Sequence, residues 1–165
     1  MMMPEPAMEM LDRLDAVEER FERLSQVTTP PGLTEPDEPG GEQWEWGQVW
    51  AHLAEFPAYW MEQLRDVFAG PPDEVPPFGR VKSDPVRVGA IQAERHTPVD
   101  QLWPQIRGQL QDLRGMIREM TADDWDRRVR HSTLGVMDVR RVFEPFLVGH
   151  LEEHAEQLER LADTT

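Results

Sequence analysis

In the stretch Leu147-Val148-Gly149-His150-Leu151-Glu152-Glu153-His154-Ala155-Glu156-Gln157-Leu158, apolar residues and two histidines recur at three- and four-residue steps, the period of one face of an α-helix. Followed backwards and forwards, the stripe is Val139, Val142, Phe143, Phe146, Leu147, His150, Leu151, His154, Leu158 and Leu161, and it predicts a helix from about Met137 or Asp138 to Leu161. The i, i+4 spacing stacks His150 and His154 one turn apart on that face, with Cβ atoms roughly 5–6 Å from each other.

Three further stretches carry the same period. The first runs from about Met8 to Ser25 through Leu11, Leu14, Val17, Phe21 and Leu24. The second runs from about Trp46 to Phe68 through Val49, His52, Leu53, Phe56, Trp60, Leu64 and Val67. The third opens at Thr97-Pro98-Val99-Asp100, which predicts a threonine N-cap followed by proline at the first helical position. Its stripe is Val99, Leu102, Ile106, Leu110, Leu113, Ile117 and Met120. Four amphipathic segments of this length predict an all-α four-helix bundle. With 165 residues the chain reads as one domain, 1–165, with its core between about residues 8 and 161.

The connections are long. Residues 28–41 read as a solvated loop. Residues 70–96 hold Pro71, Pro72, Pro76, Pro77 and Pro85 and no convincing helical stripe. Long connections in compact domains are often functional, and this one leaves the His52 helix, so it is either a cover for a site or a passive crossover. Thr121 to Trp125 reads as a capped single turn, followed by a polar stretch to Gly135. Pro57 and Pro145 fall inside predicted helices, where each kinks or ends its helix. The methionine-rich start reads as unstructured.

Formal net charge is −15, from 32 acidic and 17 basic residues, and argues against nucleic acid and anionic membrane surfaces as partners. No apolar run spans a bilayer and no basic, apolar leader opens the chain, so the expected location is the cytoplasm. Cysteine is absent, which excludes disulfides, thiolate ligands and a cysteine nucleophile.

The histidines are the strongest chemical signal. His52, His150 and His154 interrupt the apolar stripes of two different helices. Burying three imidazoles without partners is costly. They are either hydrogen-bonded core residues or ligands to one divalent cation. Glu55 lies three residues after His52, Glu153 three after His150 and Gln157 three after His154. Glu55 and Glu153 could flank a pocket, but with 32 acidic residues in the chain both read first as part of a solvated face. His131 and His96 both read as surface residues near loops, and His131, ahead of the last helix, is the better candidate for the site rim. Arg80, Arg87 and Arg141 could bind an anionic substrate, although their spacing does not single them out. Trp60 reads as core, while Trp44 and Trp46 either line an entrance or pack under the first loop.

Trp46-Gly47-Gln48-Val49-Trp50-Ala51-His52-Leu53-Ala54-Glu55 resembles the second-helix signature of the DinB/YfiT-like superfamily. Leu134-Gly135-Val136-Met137-Asp138-Val139, with Leu147 to Leu158, resembles the approach to its last helix and that helix itself. The resemblance implies a four-helix up-down-down-up bundle with a divalent metal on His52, His150 and His154, and Gln157 beside it. Three neutral nitrogens suit zinc first, with nickel, iron or cobalt as alternatives, over magnesium or calcium. No fourth protein ligand is evident, so the site would be open.

The family implies a small-molecule substrate. The activity would be metal-dependent hydrolysis or S-transfer with a low-molecular-weight thiol co-substrate such as mycothiol or bacillithiol, and a homodimer is plausible. The alternative is a stress-response protein that binds metal or a small ligand without turnover.

Overall fold

The computed structural model describes residues 2–37 and 40–163. Part of the first connection, residues 38–39, lies outside them, as do Met1 and the last two residues. Four long helices dominate: α1 (Glu5–Leu24), α2 (Trp46–Ala69), α4 (Val99–Glu119) and α7 (Val148–Asp163). Between them stand α3 (Pro85–Glu94), α5 (Ala122–Asp126) and α6 (Val139–Val142), with short strands β1 (Pro77–Phe78), β2 (Arg128–His131) and β3 (Gly135–Asp138). The four-helix expectation holds, with a small sheet added to it.

Each long helix buries its apolar stripe. On α1 these are Ala7, Met10, Leu14, Val17, Phe21 and Leu24, and on α4 Leu102, Ile106, Leu110, Leu113 and Ile117. Helix α1 packs on α4 and α7, and α2 packs on the same two. Consecutive helices α1 and α2 therefore face each other across the bundle, where Phe21 meets Trp50 edge-on with ring centroids 6.0 Å apart. Long crossovers are what such a topology requires. Helix α1 starts earlier than its stripe suggests, because Pro4 and Pro6 are tolerated in a first turn. The start of the chain is not the unstructured leader expected, since Met3 packs against the core.

Pro57 lies inside α2 without ending it. Gln109 of α4 accepts a hydrogen bond from Ala58 N–H at 3.0 Å and donates one to Ala54 C=O at 2.5 Å. One side chain thus satisfies the two backbone groups that an undistorted turn would pair with each other. Pro145 does end a helix. The predicted last helix is broken into α6 and α7, with residues 143–147 forming the turn between them. Gly149 makes the turn possible: a Cβ there would lie 2.2 Å from Glu144 O.

The connections differ most from expectation. Residues 70–96 contain β1 and α3 rather than plain loop, and α3 packs on α2. Its N-cap is Asp84, whose carboxylate accepts from Val86 and Arg87 N–H, and Pro85 occupies its first turn. The polar stretch before Gly135 is a hairpin. Strand β2 pairs antiparallel with β3 and parallel with β1, in register Pro77–Arg130 and Phe78–His131. Residues 28–41 are not wholly solvated, since Thr34 is buried and exchanges hydrogen bonds with the Trp44 backbone. Thr97 does not cap α4; its hydroxyl bonds Glu94, and Pro98 precedes the helix. The Thr121 cap was legible: its hydroxyl and the Asp124 carboxylate form a reciprocal capping box.

Candidate metal centre

Helix α2 presents His52, and α7 presents His150 and His154 one turn apart. Their Nε2 atoms converge, with His150 Nε2 3.2 Å from that of His52 and 3.0 Å from that of His154. His52 and His154 are buried, while the His150 side chain is 24% exposed and forms the open side.

Each imidazole is held from behind by the residue three positions on. His52 Nδ1 lies 2.8 Å from Glu55 Oε2, His150 Nδ1 3.1 Å from Glu153 Oε2, and His154 Nδ1 2.7 Å from Gln157 Oε1. A carboxylate accepts only, so Nδ1 of His52 and His150 carries the proton, and the Gln157 carbonyl asks the same of His154. All three Nε2 atoms are then lone-pair acceptors aimed at one another. One cation satisfies all three. Two nitrogens held about 2.0–2.1 Å from one zinc ion lie roughly 3 Å apart, so the donor set fits. Burial, the neighbouring histidines, Arg87 and, for His52, also Arg80 hold His52 and His154 well below the usual imidazole range. Both are neutral at physiological pH, the form that ligates a metal.

The aromatic surroundings fix the rings. Trp44 packs edge-on to His52 and stacks on His154, at centroid distances of 5.0 and 5.9 Å. Phe56 sits 4.8 Å from both His52 and His150. Trp46 lies in the core instead.

Glu55 is not on a solvated face. Its side chain is 13% exposed, and both its oxygens also accept from Arg80 Nη2, at 2.5 and 2.7 Å. Burial pushes its carboxyl up, against the pull of Arg80. Glu153 is solvated, at 70% exposure, and still reaches His150. His131 is neither a surface residue nor a pocket-lining one. It is buried in β2, where Nδ1 accepts from Thr133 and Leu134 N–H and Nε2 donates to Arg80 C=O at 3.3 Å. It anchors the backbone of Arg80 from behind.

The segment leaving α2 does lie over the histidines. A cleft of about 100 Å³ opens beside them, lined by His52, Trp60, Arg80, Val81, Lys82, Arg87, Phe146 and His150. Arg80 and Arg87 are therefore at the site, whereas Arg141 is exposed on α6. Larger clefts lie elsewhere, one of about 620 Å³ bordered by the exposed His96 and one of about 420 Å³ between α2 and α4. Among the described residues, the only cluster of metal-ligating side chains is His52, His150 and His154. Trp44, one of the two entrance candidates, lies over the rings, and what the sequence reading missed is Lys82 in the wall. The available signal was the grouping of Arg80, Lys82 and Arg87 in an otherwise acidic chain.

A helical bundle whose central helices direct three imidazoles at one point defines a class of candidate metal-binding proteins. The chain belongs to the DinB superfamily, whose family model matches residues 10–158. No curated protein sequence matches it. Among solved structures it is similar to YfiT from Bacillus subtilis, described as a probable metal-dependent hydrolase with an unusual four-helix bundle topology. That match has a TM-score of 0.69 at 17% identity and covers 96% of this chain and 86% of that one. It is also similar to the mycothiol-dependent maleylpyruvate isomerase (TM-score 0.69, 15% identity), covering 92% of this chain and 60% of that one. A point variant of the same isomerase matches at TM-score 0.68 and 16% identity, with the same coverage. At such identities these likenesses establish the shared fold. No helix among the described residues is long and apolar enough to cross a membrane.

Proposed function

We propose that this chain is a metal-dependent enzyme acting on a small molecule, with one divalent ion, zinc first, on His52, His150 and His154. The observation that carries the reading is the convergence of three Nε2 atoms, those of His52 and His154 lying 3.2 and 3.0 Å from that of His150, with each ring held by an acceptor at Nδ1. A divalent ion there supplies Lewis acidity, enough to bring the pKa of a water or thiol toward neutrality. The reaction is hydrolysis or transfer from a low-molecular-weight thiol; the similar structures are described as a probable metal-dependent hydrolase and a mycothiol-dependent isomerase.

The chain's own residues define the rest of the reaction space. Trp44 and Phe56 shut water out behind His52 and His154, which leaves His150 and the cleft as the approach. Glu55, Glu153 and Gln157 fix the tautomers that leave Nε2 free to ligate. Arg80 holds Glu55 in place, and His131 holds the backbone of Arg80.

Metal analysis of protein purified without an affinity tag tests the centre, with about one equivalent expected. Absence of metal, together with no thermal shift on adding zinc, nickel or manganese, refutes it. Catalysis is tested with a panel of thiols and electrophiles beside esters and amides. Turnover that survives His150→Ala refutes the mechanism, and metal binding without any turnover leaves a metal-binding stress protein as the function.

A further inference from the structure

The cleft beside the histidines has a wall unlike the rest of the molecule. The chain carries 32 acidic residues against 17 basic ones. Yet among the described residues the wall contains three cations, Arg80, Lys82 and Arg87, and no carboxylate. Two of these cations are buried, with side chains 6% and 8% exposed for Arg80 and Arg87. Burying a guanidinium is costly unless its donors are used.

The partners within the chain use only part of them. Arg80 gives Nη2 alone to Glu55, leaving Nε and Nη1 without a hydrogen bond, and neither is among the fully buried orphan atoms. Arg87 gives Nη1 to Lys82 C=O at 2.7 Å and Nη2 to Glu42 at a long 3.3 Å, leaving Nε unspent. Both planes are locked by aromatic rings: Arg80 lies 4.0 Å from the Tyr59 centroid and Arg87 5.3 Å from that of Trp44. Lys82 pairs with Asp37 at the outer edge. Opposite the cations the wall is apolar, where Trp60 stacks on Phe146 at 4.2 Å.

We propose that this cleft binds the acid group of a small organic anion, a carboxylate or phosphate-type head, on Arg80 and Arg87, with the flank of the molecule against Trp60 and Phe146. Fixed, partly desolvated guanidiniums are the groups suited to recognising a planar or tetrahedral oxyanion. The cleft, at about 100 Å³, is smaller than the roughly 300–1,000 Å³ of sites that enclose a drug-sized ligand, so it admits a head group while the remainder extends outward. The substrate of the proposed enzyme is then an anionic one, anchored beside the histidine centre. The proposal rests on the metal-dependent reading for where the reacting atom lies, and not for how the acid group is held.

The test is calorimetric titration of the metal-free protein, and separately of the zinc-loaded protein, with benzoate, phenylphosphonate and the neutral benzamide. The metal-free arm isolates the arginines from direct coordination. At least one of the two acids is expected to bind about tenfold or more tighter than benzamide. Arg87→Gln, which keeps the Arg80–Glu55 pair, is expected to remove about tenfold of that affinity in the metal-free arm. Should Arg87→Gln not fold, the exposed Lys82→Gln and the weakening of acid binding by added salt give the same reading.

Equal binding of acid and amide, no binding of either acid, or affinity indifferent to these substitutions overturns the proposal. Failure of the metal reading shows separately, as loss of zinc binding with acid binding intact.

Discussion

Gly79 lies so close to Trp60 that a Cβ at residue 79 would come within 2.7 Å of the indole, and within 3.0 Å of His131. Its φ of +87° is also one that side chains rarely adopt. The tight turn sends the chain from β1 straight into Arg80. Gly79→Ala is therefore expected to destabilise the fold by about 2–4 kcal/mol, from strain and overpacking together. Gly135 has a φ of +78° with open space around it, so Gly135→Ala is the control, expected to cost about 1 kcal/mol. Urea unfolding of the two variants checks the difference.

Acceptors behind the imidazoles differ in burial, so they should differ in effect. Glu55→Gln is expected to lower zinc affinity by about 10–100-fold, the range typical of lost partners behind a ligating histidine. Glu153→Gln, at a solvated site, is expected to change it by less than about threefold. Competition titrations against a chromogenic chelator measure both. Equal losses would show that burial is not what sets the contribution of these partners.

The metal-free protein should lose stability on acidification from near neutrality. His52 and His154 lie well below the ordinary value of 6.5 in the fold, chiefly through burial. The unfolded chain takes up protons there as pH falls below about 6.5 while the folded chain does not, so their stability contribution is full above that pH and declines below it. Glu55, raised above its ordinary 4.5, acts with the opposite sign in a lower window just above that value. Denaturant midpoints between pH 8 and 5 test this. His154→Gln should flatten the decline, and a midpoint unchanged across that range would contradict the burial-driven shift.

Removing the Gln109 amide strands Ala58 N–H and Ala54 C=O beside Pro57. Gln109→Ala is expected to cost about 1–3 kcal/mol. In the Pro57→Ala background the helix can close its own ladder, and the same change should cost about 1 kcal/mol less. A double-mutant cycle by thermal unfolding reads the difference, and strict additivity would refute the bridging role.

The long helices were legible because their apolar residues recur on one face and that face is the one buried. Helix α3 was not, for the converse reason: its Val86 and Val88 are exposed while Arg87 and Ile91 are buried, so no apolar stripe marks it. Strand β2 hid likewise, since its alternation sets Val129 and His131 inside against Arg128 and Arg130 outside, which reads as a polar stretch. The histidine cluster could be read from helical spacing alone. Its surroundings could not, because Trp44, Arg80 and Arg87 reach it from connections whose paths depend on tertiary contacts such as Thr34 to Trp44 and His131 to Arg80.

Arg80 serves two masters. Its guanidinium holds Glu55, which holds His52, and the same side chain lines the cleft. Heritable change at this one position is therefore pleiotropic: a lineage that altered Arg80 to suit a new molecule would at the same stroke disturb a histidine of the centre. Arg87 makes no hydrogen bond to Glu55, and its tie to the centre is the looser one, through its charge and through Trp44. Diversification of what this bundle accepts is thus channelled toward α3, with Arg80 the position least free to vary.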